Sequence, residues 1–159
     1  MSSTRHVKIC VGASAGGHMS QLMKLLGASE NWPERPSSYI TTLPQLAEKF
    51  EQFGPTYVIR ECGRLSNPVK TGAVFLEALS IVFKERPDVV ITTGSGSLAL
   101  VCISAKLLGA KVVWIDSIAN VEKFSMSGAM VRLFADLFLT QWPQLAQKYR
   151  NAEYVGTLL

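Results

Sequence analysis

The amino-acid sequence predicts an α/β domain in which a mostly parallel sheet carries helices on both faces. Short apolar runs, typical of buried strands, alternate with longer segments of helical periodicity along all 159 residues, and such alternation is characteristic of parallel sheets. Glycine-rich turns follow two of these runs, at residues 12–17 and 92–97. Hydrophobic residues make up 48% and charged residues 18% of the chain, which suits a globular unit with a sizeable core. No repeat or linker is visible, so residues 1–159 are expected to form one domain.

Each strand is predicted from a short apolar run bounded by turn residues, and each helix from apolar residues that recur every three to four positions. In chain order the expected strands are residues 7–13, 39–42, 56–60, 89–92, 111–115, 137–140 and 154–155. The expected helices are residues 17–26, 45–53, 69–84, 97–108, 126–134 and 142–149. Pro68 suits the first position of the third helix, and Gly109 ends the fourth. Residues 29–37 are expected to form an irregular surface loop.

The charge and the cysteines argue against several classes of protein. The formal net charge of +4 is spread along the chain without a basic block, so nucleic acid is not an expected partner. The three cysteines lack metal-ligand spacing, and Cys10 and Cys102 lie in apolar runs. We therefore expect core thiols in a reducing compartment, the cytoplasm. Neither a signal peptide nor an apolar run of roughly 18 residues is visible, so any membrane contact is expected to be peripheral.

The most informative segment is the turn after the first predicted strand, Gly12-Ala13-Ser14-Ala15-Gly16-Gly17-His18. The first turn of a helix exposes backbone N–H groups and the positive end of its dipole, so it can hold a phosphate. Gly16 and Gly17 let a ligand approach the backbone, and His18 adds a titratable donor. The glycine spacing fits neither a dinucleotide fingerprint nor a Walker A loop. A tight turn in which the glycines serve packing alone is the alternative.

A second turn of this kind follows the predicted strand at residues 89–92. It consists of Thr93, Gly94, Ser95, Gly96 and Ser97. Because ligands of parallel sheets bind outside the carboxyl ends of the strands, we expect the two turns to lie together and to hold a diphosphate and its sugar. The alternative is an ordinary strand-to-helix turn in which Ser97 is the N-cap.

Asp116 stands at the end of the predicted strand at residues 111–115, and Asn120 follows in the next loop. A carboxylate at this position can bind a sugar hydroxyl or act as a base, and it can equally cap the next turn; both interpretations stay open. Glu122 and Lys123 are expected to be solvated. No set of His, Cys, Asp and Glu has the spacing of metal ligands, so neither a metal nor a cofactor is predicted.

The predicted helix at residues 69–84 is apolar on more than one side, whereas a surface helix of a soluble domain has a narrower apolar stripe. Residues 65–84 are therefore a candidate for peripheral contact with a membrane or a partner. The cations that would then face lipid phosphates are Arg60, Arg64, Lys70 and Lys84. The alternative is a helix buried in the core.

Together these segments resemble a known family. Residues 12–18, 87–94, 106–113 and 135–143 and the ending at residues 154–156 recur in this order in the acceptor-binding subunit of two-subunit glycosyltransferases of the GT-B type. In eukaryotes this subunit helps to add the second N-acetylglucosamine to dolichol-diphosphate N-acetylglucosamine. Bacterial counterparts serve capsule and exopolysaccharide assembly on undecaprenyl diphosphate. The first turn also resembles the glycine-rich loop of the peptidoglycan lipid II synthase.

The resemblance implies a Rossmann-like domain equivalent to the N-terminal half of a GT-B enzyme. A separate donor-binding subunit would bind most of the UDP-sugar, while this chain would bind a polyprenyl-diphosphate-linked saccharide at the inner face of the cell membrane. Residues 14–17 would hold the acceptor diphosphate, and residues 93–97 would line the same cleft. His18 would act as base or diphosphate ligand, and Asp116 would bind the acceptor sugar.

Two rival functions remain at this point. One is a non-catalytic partner that recruits and activates the true transferase. The other is a self-sufficient enzyme that binds a sugar nucleotide with this domain alone. Loss of activity on substitution of His18 and Asp116 would exclude the first, and a requirement for a second chain would exclude the other.

Overall fold

Strands and helices alternate along the chain. The computed structural model describes residues 6–63 and 67–158. The strands of these ranges are β1 (Ile9–Ala13), β2 (Ser38–Thr41), β3 (Thr56–Val58), β4 (Val89–Thr92), β5 (Lys111–Ile115), β6 (Leu137–Thr140) and β7 (Glu153–Tyr154). The α-helices are α1 (Gly17–Gly27), α2 (Pro44–Glu51), α3 (Pro68–Glu85), α4 (Gly96–Leu107), α5 (Met126–Val131) and α6 (Pro143–Lys148). The seven strands described form one fully parallel sheet in the order β3-β2-β1-β4-β5-β6-β7.

The predicted elements are present in the expected order, and β4, β5 and β6 have the expected bounds. Two regions differ. α5 ends at Val131 instead of continuing to residue 134, because Phe134 and Ala135 both donate to the Val131 carbonyl and turn the chain towards β6. The loop at residues 29–37 begins with a 3-10 turn, Ser29–Asn31, in which the Ser29 hydroxyl donates to the Leu26 carbonyl.

Helices cover both faces of the sheet. Val11 of β1 packs with Met19 of α1 and Phe50 of α2. The preceding residue, Cys10, points to the opposite face and packs with the buried sides of α3 and α4. This confirms the predicted Rossmann-like architecture. The strand order reverses between β1 and β4, whose carboxyl ends are neighbours, so the turns that follow them lie side by side.

The α1 side of the sheet is thinly covered beyond β4. Val113 of β5 and Leu137 of β6 lie in register with Ile91 of β4, and all three are only half-buried. The corresponding position of β1, Val11, is fully buried. Parallel strands are normally covered on both faces, so the β5–β6 region presents apolar surface that the described helices leave partly open.

The cysteines lie in the core, as the sequence predicts. Cys10 and Cys102 are buried in the same cluster. Burial raises the pKa of the Cys10 thiol from 9.0 to about 12 and also raises the pKa of the Cys102 thiol. Both thiols are therefore protonated and unreactive at neutral pH.

α3 is only partly buried. Val74, Ala78, Ile81 and Val82 face the core, which bears out the interpretation of a core helix for one side. An exposed apolar stripe runs along the other side through Val69, Leu76 and Phe83, which are 81%, 65% and 57% exposed. Arg64 and residues 65–66 of the predicted contact segment lie outside the described residues. Among the helices described, none combines the length and the apolar character needed to cross a bilayer.

Candidate functional site

The first glycine turn opens onto the carboxyl edge of the sheet. Gly16 is the N-cap of α1 with φ 75°, a conformation that glycine adopts without strain, and no side chain of the described residues caps this end. The first turn contains no acidic residue. A methyl group built on Gly16 or Gly17 would meet no described atom within 4 Å. The N-terminus of α1 therefore offers unpaired N–H groups, a positive dipole end and free space, which are the requirements for binding an anion.

The remaining residues of this turn lie deeper. Ser14 is 3% exposed, so its side chain sits beneath the turn and not on the open face. The Ala15 amide donates to the Thr42 hydroxyl at 3.2 Å, which attaches the turn to the end of β2. Gly16 and Gly17 are thus the exposed members of the predicted phosphate site, and Ser14 and Ala15 fix the turn from below.

His18 joins the two glycine turns. Its Nδ1 lies 2.7 Å from the carbonyl oxygen of Thr93, and the Thr93 hydroxyl donates to the His18 carbonyl at 2.6 Å. These residues are 75 positions apart in the chain, so the expectation that the two turns lie together is confirmed. Thr93 is fully buried and reaches His18 from below, whereas His18 itself is half-buried at the surface.

Gly94 lies between two aromatic rings. It has φ 114°, and a methyl group built on it would lie 2.9 Å from Cε1 of His18 and 3.5 Å from Cζ2 of Trp114. The imidazole therefore rests against the Gly94 backbone, a contact that any larger residue would block. Ser95 follows with φ 118°, a strained value for a residue with a side chain that costs on the order of 1–3 kcal/mol. Such strain is typical of turns that hold functional groups in place.

The end of the second turn faces away from the open site. Ser97 is fully buried; its hydroxyl donates to the Arg60 carbonyl at 2.8 Å and accepts from the Cys62 amide at 2.7 Å. A methyl group on Gly96 would lie 2.3 Å from the Cys62 carbonyl oxygen. Gly96 and Ser97 therefore hold the loop after β3, and their place in the cleft stays a prediction. The N-cap of α4 is Ser95, which accepts from the Leu98 amide, and not Ser97.

Asp116 is buried inside a hydrogen-bond network, with 2% of its surface exposed. Oδ1 accepts from Trp114 Nε1 at 3.1 Å and from the Ser125 hydroxyl at 3.0 Å. Oδ2 accepts from Asn120 Nδ2 at 2.9 Å and from the Ser125 amide at 3.4 Å. The helix that starts beyond this loop comes so close that a methyl group on Gly128 would lie 2.4 Å from Oδ1. Of the two interpretations left open by the sequence, this geometry favours the capping one, because both carboxylate oxygens accept hydrogen bonds from within the chain.

Two buried glutamines, Gln21 and Gln141, are paired in a way that the sequence does not signal. Gln141, at the end of β6, donates from Nε2 to Gln21 Oε1 of α1 and, at 3.0 Å, to the Asp116 carbonyl oxygen. Its Oε1 accepts from the Leu158 amide at 2.7 Å. These contacts join α1, the loop after β5 and residues near the end of the chain. No spacing in the sequence signals a pair that lies 120 positions apart.

Gly16, Gly17 and His18 line none of three cavities at the surface. Two, of about 260 Å³ and 320 Å³, lie around Arg86 and Leu108 and between Leu26, Tyr39 and Phe53. The third, of about 150 Å³, lies at the carboxyl ends of β5 and β6 against Gln141. Within residues 6–63 and 67–158 no group of three or more His, Cys, Asp or Glu side chains is arranged to hold a metal ion. What the carboxyl edge does offer is a helix N-terminus without a side-chain cap, next to an imidazole that contacts the Thr93 carbonyl.

Comparison with known proteins identifies relatives along the whole described chain. The family model "Oligosaccharide biosynthesis protein Alg14 like" matches residues 8–158. The UDP-N-acetylglucosamine transferase subunit alg14 of Schizosaccharomyces pombe is 29% identical over 176 aligned residues, which cover 96% of this chain and 82% of that relative. The subunit ALG14 of Homo sapiens is 29% identical over 181 residues, covering 96% and 83%.

A solved structure shows the same fold. MurG from Acinetobacter baumannii superposes with a TM-score of 0.72 at 17% sequence identity, over 94% of this chain and 45% of MurG. The chain thus spans about half the length of that structure. The shared fold is the Rossmann-like N-terminal half of GT-B enzymes, and at this identity the likeness extends to the fold alone.

Proposed function

The chain belongs to the family of oligosaccharide biosynthesis proteins like Alg14, and from that membership we propose that it is a subunit of a glycosyltransferase. In this proposal the complete enzyme moves a sugar from a UDP-sugar to a polyprenyl-diphosphate-linked saccharide, in the assembly of an exopolysaccharide, a capsule or a related glycan. This chain binds the lipid-linked acceptor and recruits the donor-binding subunit. The relatives compared above are themselves named as transferase subunits.

The observation that carries the proposal is the uncapped N-terminus of α1 beside the imidazole of His18. An acceptor diphosphate would accept hydrogen bonds from the exposed amides at Gly16 and Gly17, and the helix dipole favours its negative charge. The absence of acidic residues from this turn avoids repulsion. His18, one residue further on, lies within reach of the first sugar attached to such a diphosphate.

The reaction proposed is an inverting single displacement. The acceptor hydroxyl forms a new bond to the anomeric carbon of the UDP-sugar, and the bond from that carbon to the diphosphate oxygen breaks, with its electron pair leaving on UDP. The hydroxyl proton passes to His18 as the oxygen attacks. Holding the two substrates in one cleft is the larger catalytic contribution, because it converts an encounter of two molecules into a reaction within one complex.

Asp116 has an indirect role in this proposal. Because its oxygens are engaged within the chain, we assign it to fixing Trp114 and the loop that contains Asn120, and not to binding the acceptor sugar. Trp114 in turn backs Gly94, against which the His18 ring rests. Asn120 is half-buried beside this network and stays a candidate for contact with the sugar.

Two features favour a second subunit. Gly16 and Gly17 are exposed, so in this proposal a partner supplies the opposing wall that binds the nucleotide sugar. The half-buried Val113 and Leu137 also leave apolar sheet surface for a further layer. A donor-binding subunit that docks over the carboxyl edge and this part of the sheet would supply both.

Membrane contact through residues 65–84 is part of the proposal. Val69, Leu76 and Phe83 form a stripe of exposed apolar side chains on α3. Lys70 and Lys84 are exposed on the same helix, where they can meet lipid phosphates. α3 begins at the carboxyl edge of the sheet, so this contact would place the anion site near the surface from which a polyprenyl diphosphate projects, at the inner face of the cell membrane.

The experiment is a transfer assay with purified proteins. The chain, the donor-binding subunit and their mixture are each given a short-chain polyprenyl-diphosphate N-acetylglucosamine and a panel of UDP-sugars. The proposal expects transfer by the mixture alone and a loss of about 10²-fold or more with His18→Ala. Transfer by this chain alone would instead identify a self-sufficient enzyme, and an active mixture that is indifferent to His18→Ala would identify a recruiting partner.

A further inference from the structure

We infer that Thr93 is a positioning residue that fixes His18 in the tautomer with hydrogen on Nδ1, so that Nε2 is a proton acceptor at the open face. The catalytic meaning of this inference rests on the proposed function, which leaves His18 as either base or diphosphate ligand. The tautomer itself is a property of the chain alone. It decides between those two roles, since a ring nitrogen that carries hydrogen donates to a phosphate and one with a free lone pair accepts a proton.

The assignment follows from the chemistry of the partner. Thr93 offers His18 Nδ1 a backbone carbonyl oxygen at 2.7 Å, and a carbonyl can only accept. The hydrogen must therefore be on Nδ1. The Thr93 hydroxyl donates back to the His18 carbonyl at 2.6 Å. This second bond fixes the backbone of the same two residues, so the carbonyl stays aligned with the ring.

The ring is also held against rotation. A ring flip would exchange Nδ1 for a carbon and leave the buried Thr93 carbonyl without its partner. The ring lies so close to Gly94 that a methyl group there would be 2.9 Å from Cε1 and 3.1 Å from Nδ1. Behind Gly94 stands Trp114, fully buried and held by Asp116. The backbone of Gly94 is therefore held between the imidazole and a fixed Trp114 side chain, and it restricts movement of the His18 ring.

Nε2 has no hydrogen-bond partner among the described residues. In the neutral Nδ1–H tautomer it carries a lone pair, and the His18 residue as a whole is half-buried at the turn. When the acceptor hydroxyl attacks, its O–H bond breaks and an Nε2–H bond forms. The resulting imidazolium keeps its Nδ1–H bond to the Thr93 carbonyl, which stabilises the positive charge. The geometry therefore assigns His18 the role of base.

The test is ¹⁵N NMR of the imidazole nitrogens in the whole chain at a pH where the histidines are neutral. The chain has two histidines, and His6→Gln assigns the signals because His6 is exposed and bound to Glu34. The inference predicts a protonated Nδ1 and an unprotonated Nε2 for His18. A hydrogen on Nε2, or a fast average of both tautomers, would overturn it, and the unmodified protein alone decides this.

Gly94→Ala supplies the matching perturbation. The added methyl group displaces the ring from the Thr93 carbonyl, so we expect the Nδ1–H signature of His18 to disappear. Gly109→Ala is the control, because Gly109 also has a positive φ, 87°, but a methyl group there meets no atom within 4 Å. If Gly94→Ala leaves the tautomer of His18 unchanged, the contact between the ring and the Gly94 backbone does not position the imidazole, and the inference is wrong on this point.

The transfer assay then separates this inference from the proposed function. In an active complex Gly94→Ala is expected to lower kcat by about 10²-fold with a smaller change in KM, and Gly109→Ala to leave both within about twofold. Unchanged kcat with a displaced ring would refute the role of base. If no transfer is found but the NMR signature is present, the proposed function fails while the assignment of the tautomer stands.

Discussion

Asp116→Asn tests whether this carboxylate serves the fold or the substrate. The substitution keeps the shape of the side chain but replaces one oxygen by an NH₂ group. Both carboxylate oxygens accept hydrogen bonds, from Trp114 Nε1 and the Ser125 hydroxyl on Oδ1 and from Asn120 Nδ2 and the Ser125 amide on Oδ2. Whichever way the amide is turned, two donors face its NH₂ group.

The expected cost follows from these bonds. A hydrogen bond to a charged group contributes about 1.5–3 kcal/mol, and a buried donor without a partner costs about 1–3 kcal/mol. The 3.4 Å contact to the Ser125 amide counts for little, and removal of a buried charge offsets part of the loss. We therefore expect Asp116→Asn to lower the free energy of unfolding by about 3 kcal/mol and Tm by about 6–12 °C for a chain of this size.

The assay is urea unfolding followed by circular dichroism and by tryptophan fluorescence. Glu122→Gln is the matched control, since it makes the same chemical change at an exposed residue of the same loop, and we expect it to stay within about 0.5 kcal/mol of the unmodified chain. A loss below about 1 kcal/mol for Asp116→Asn would refute the structural role. If the Asp116→Asn variant is inactive but as stable as the unmodified chain, Asp116 acts by contacting the substrate.

Three other perturbations test separate parts of the account. Gly96→Ala is expected to destabilise the chain by about 1–3 kcal/mol in urea unfolding, because the new methyl group would lie 2.3 Å from the Cys62 carbonyl oxygen. The control is Gly72→Ala at an exposed position of α3, which should be neutral or stabilising. Equal effects of the two substitutions would contradict the close approach at Gly96. Burial acts to raise the pKa of Asp136, but hydrogen bonds from two lysines and a backbone amide lower it from 3.8 to about 2. Because the pKa of Asp136 is lowered in the folded state, the stability that its ionised form contributes is complete above about pH 3.8 and is lost as the pH falls towards 2. Asp136→Asn should therefore make the free energy of unfolding depend less on pH in that window. An unchanged pH dependence would contradict this expectation. Leu76→Glu should abolish flotation with anionic vesicles. Leu133→Glu, at a comparably exposed leucine two residues after the end of α5, should not, and equal losses would exclude α3 as the contact.

The sequence specifies the architecture well for a physical reason. β4, β5 and β6 are apolar runs bounded by turn residues, and both signals are local, so their bounds are predicted to the residue. The meeting of the two glycine turns is also predictable, because strand order alone brings the carboxyl ends of β1 and β4 together. Helix ends are less certain, since a few backbone bonds around Val131 decide where α5 stops.

The partners of individual side chains are where prediction from sequence fails. Ser97 and Asp116 stand at positions where a ligand contact is plausible, yet both are occupied within the chain. Which way such a side chain turns depends on the loops packed against it, and those loops are distant in sequence. The Gln21–Gln141 pair is a further example, because nothing in the sequence links two positions that lie 120 residues apart.

The most direct test of the central claim is the reconstituted transfer reaction. The purified chain, the donor-binding subunit and their mixture are compared with the same lipid-diphosphate sugar acceptor and UDP-sugar. The account predicts that only the mixture transfers the sugar, and that His18→Ala in this chain abolishes transfer without dissociating the complex. Transfer by this chain alone, or undiminished transfer by a mixture that contains His18→Ala, would contradict it.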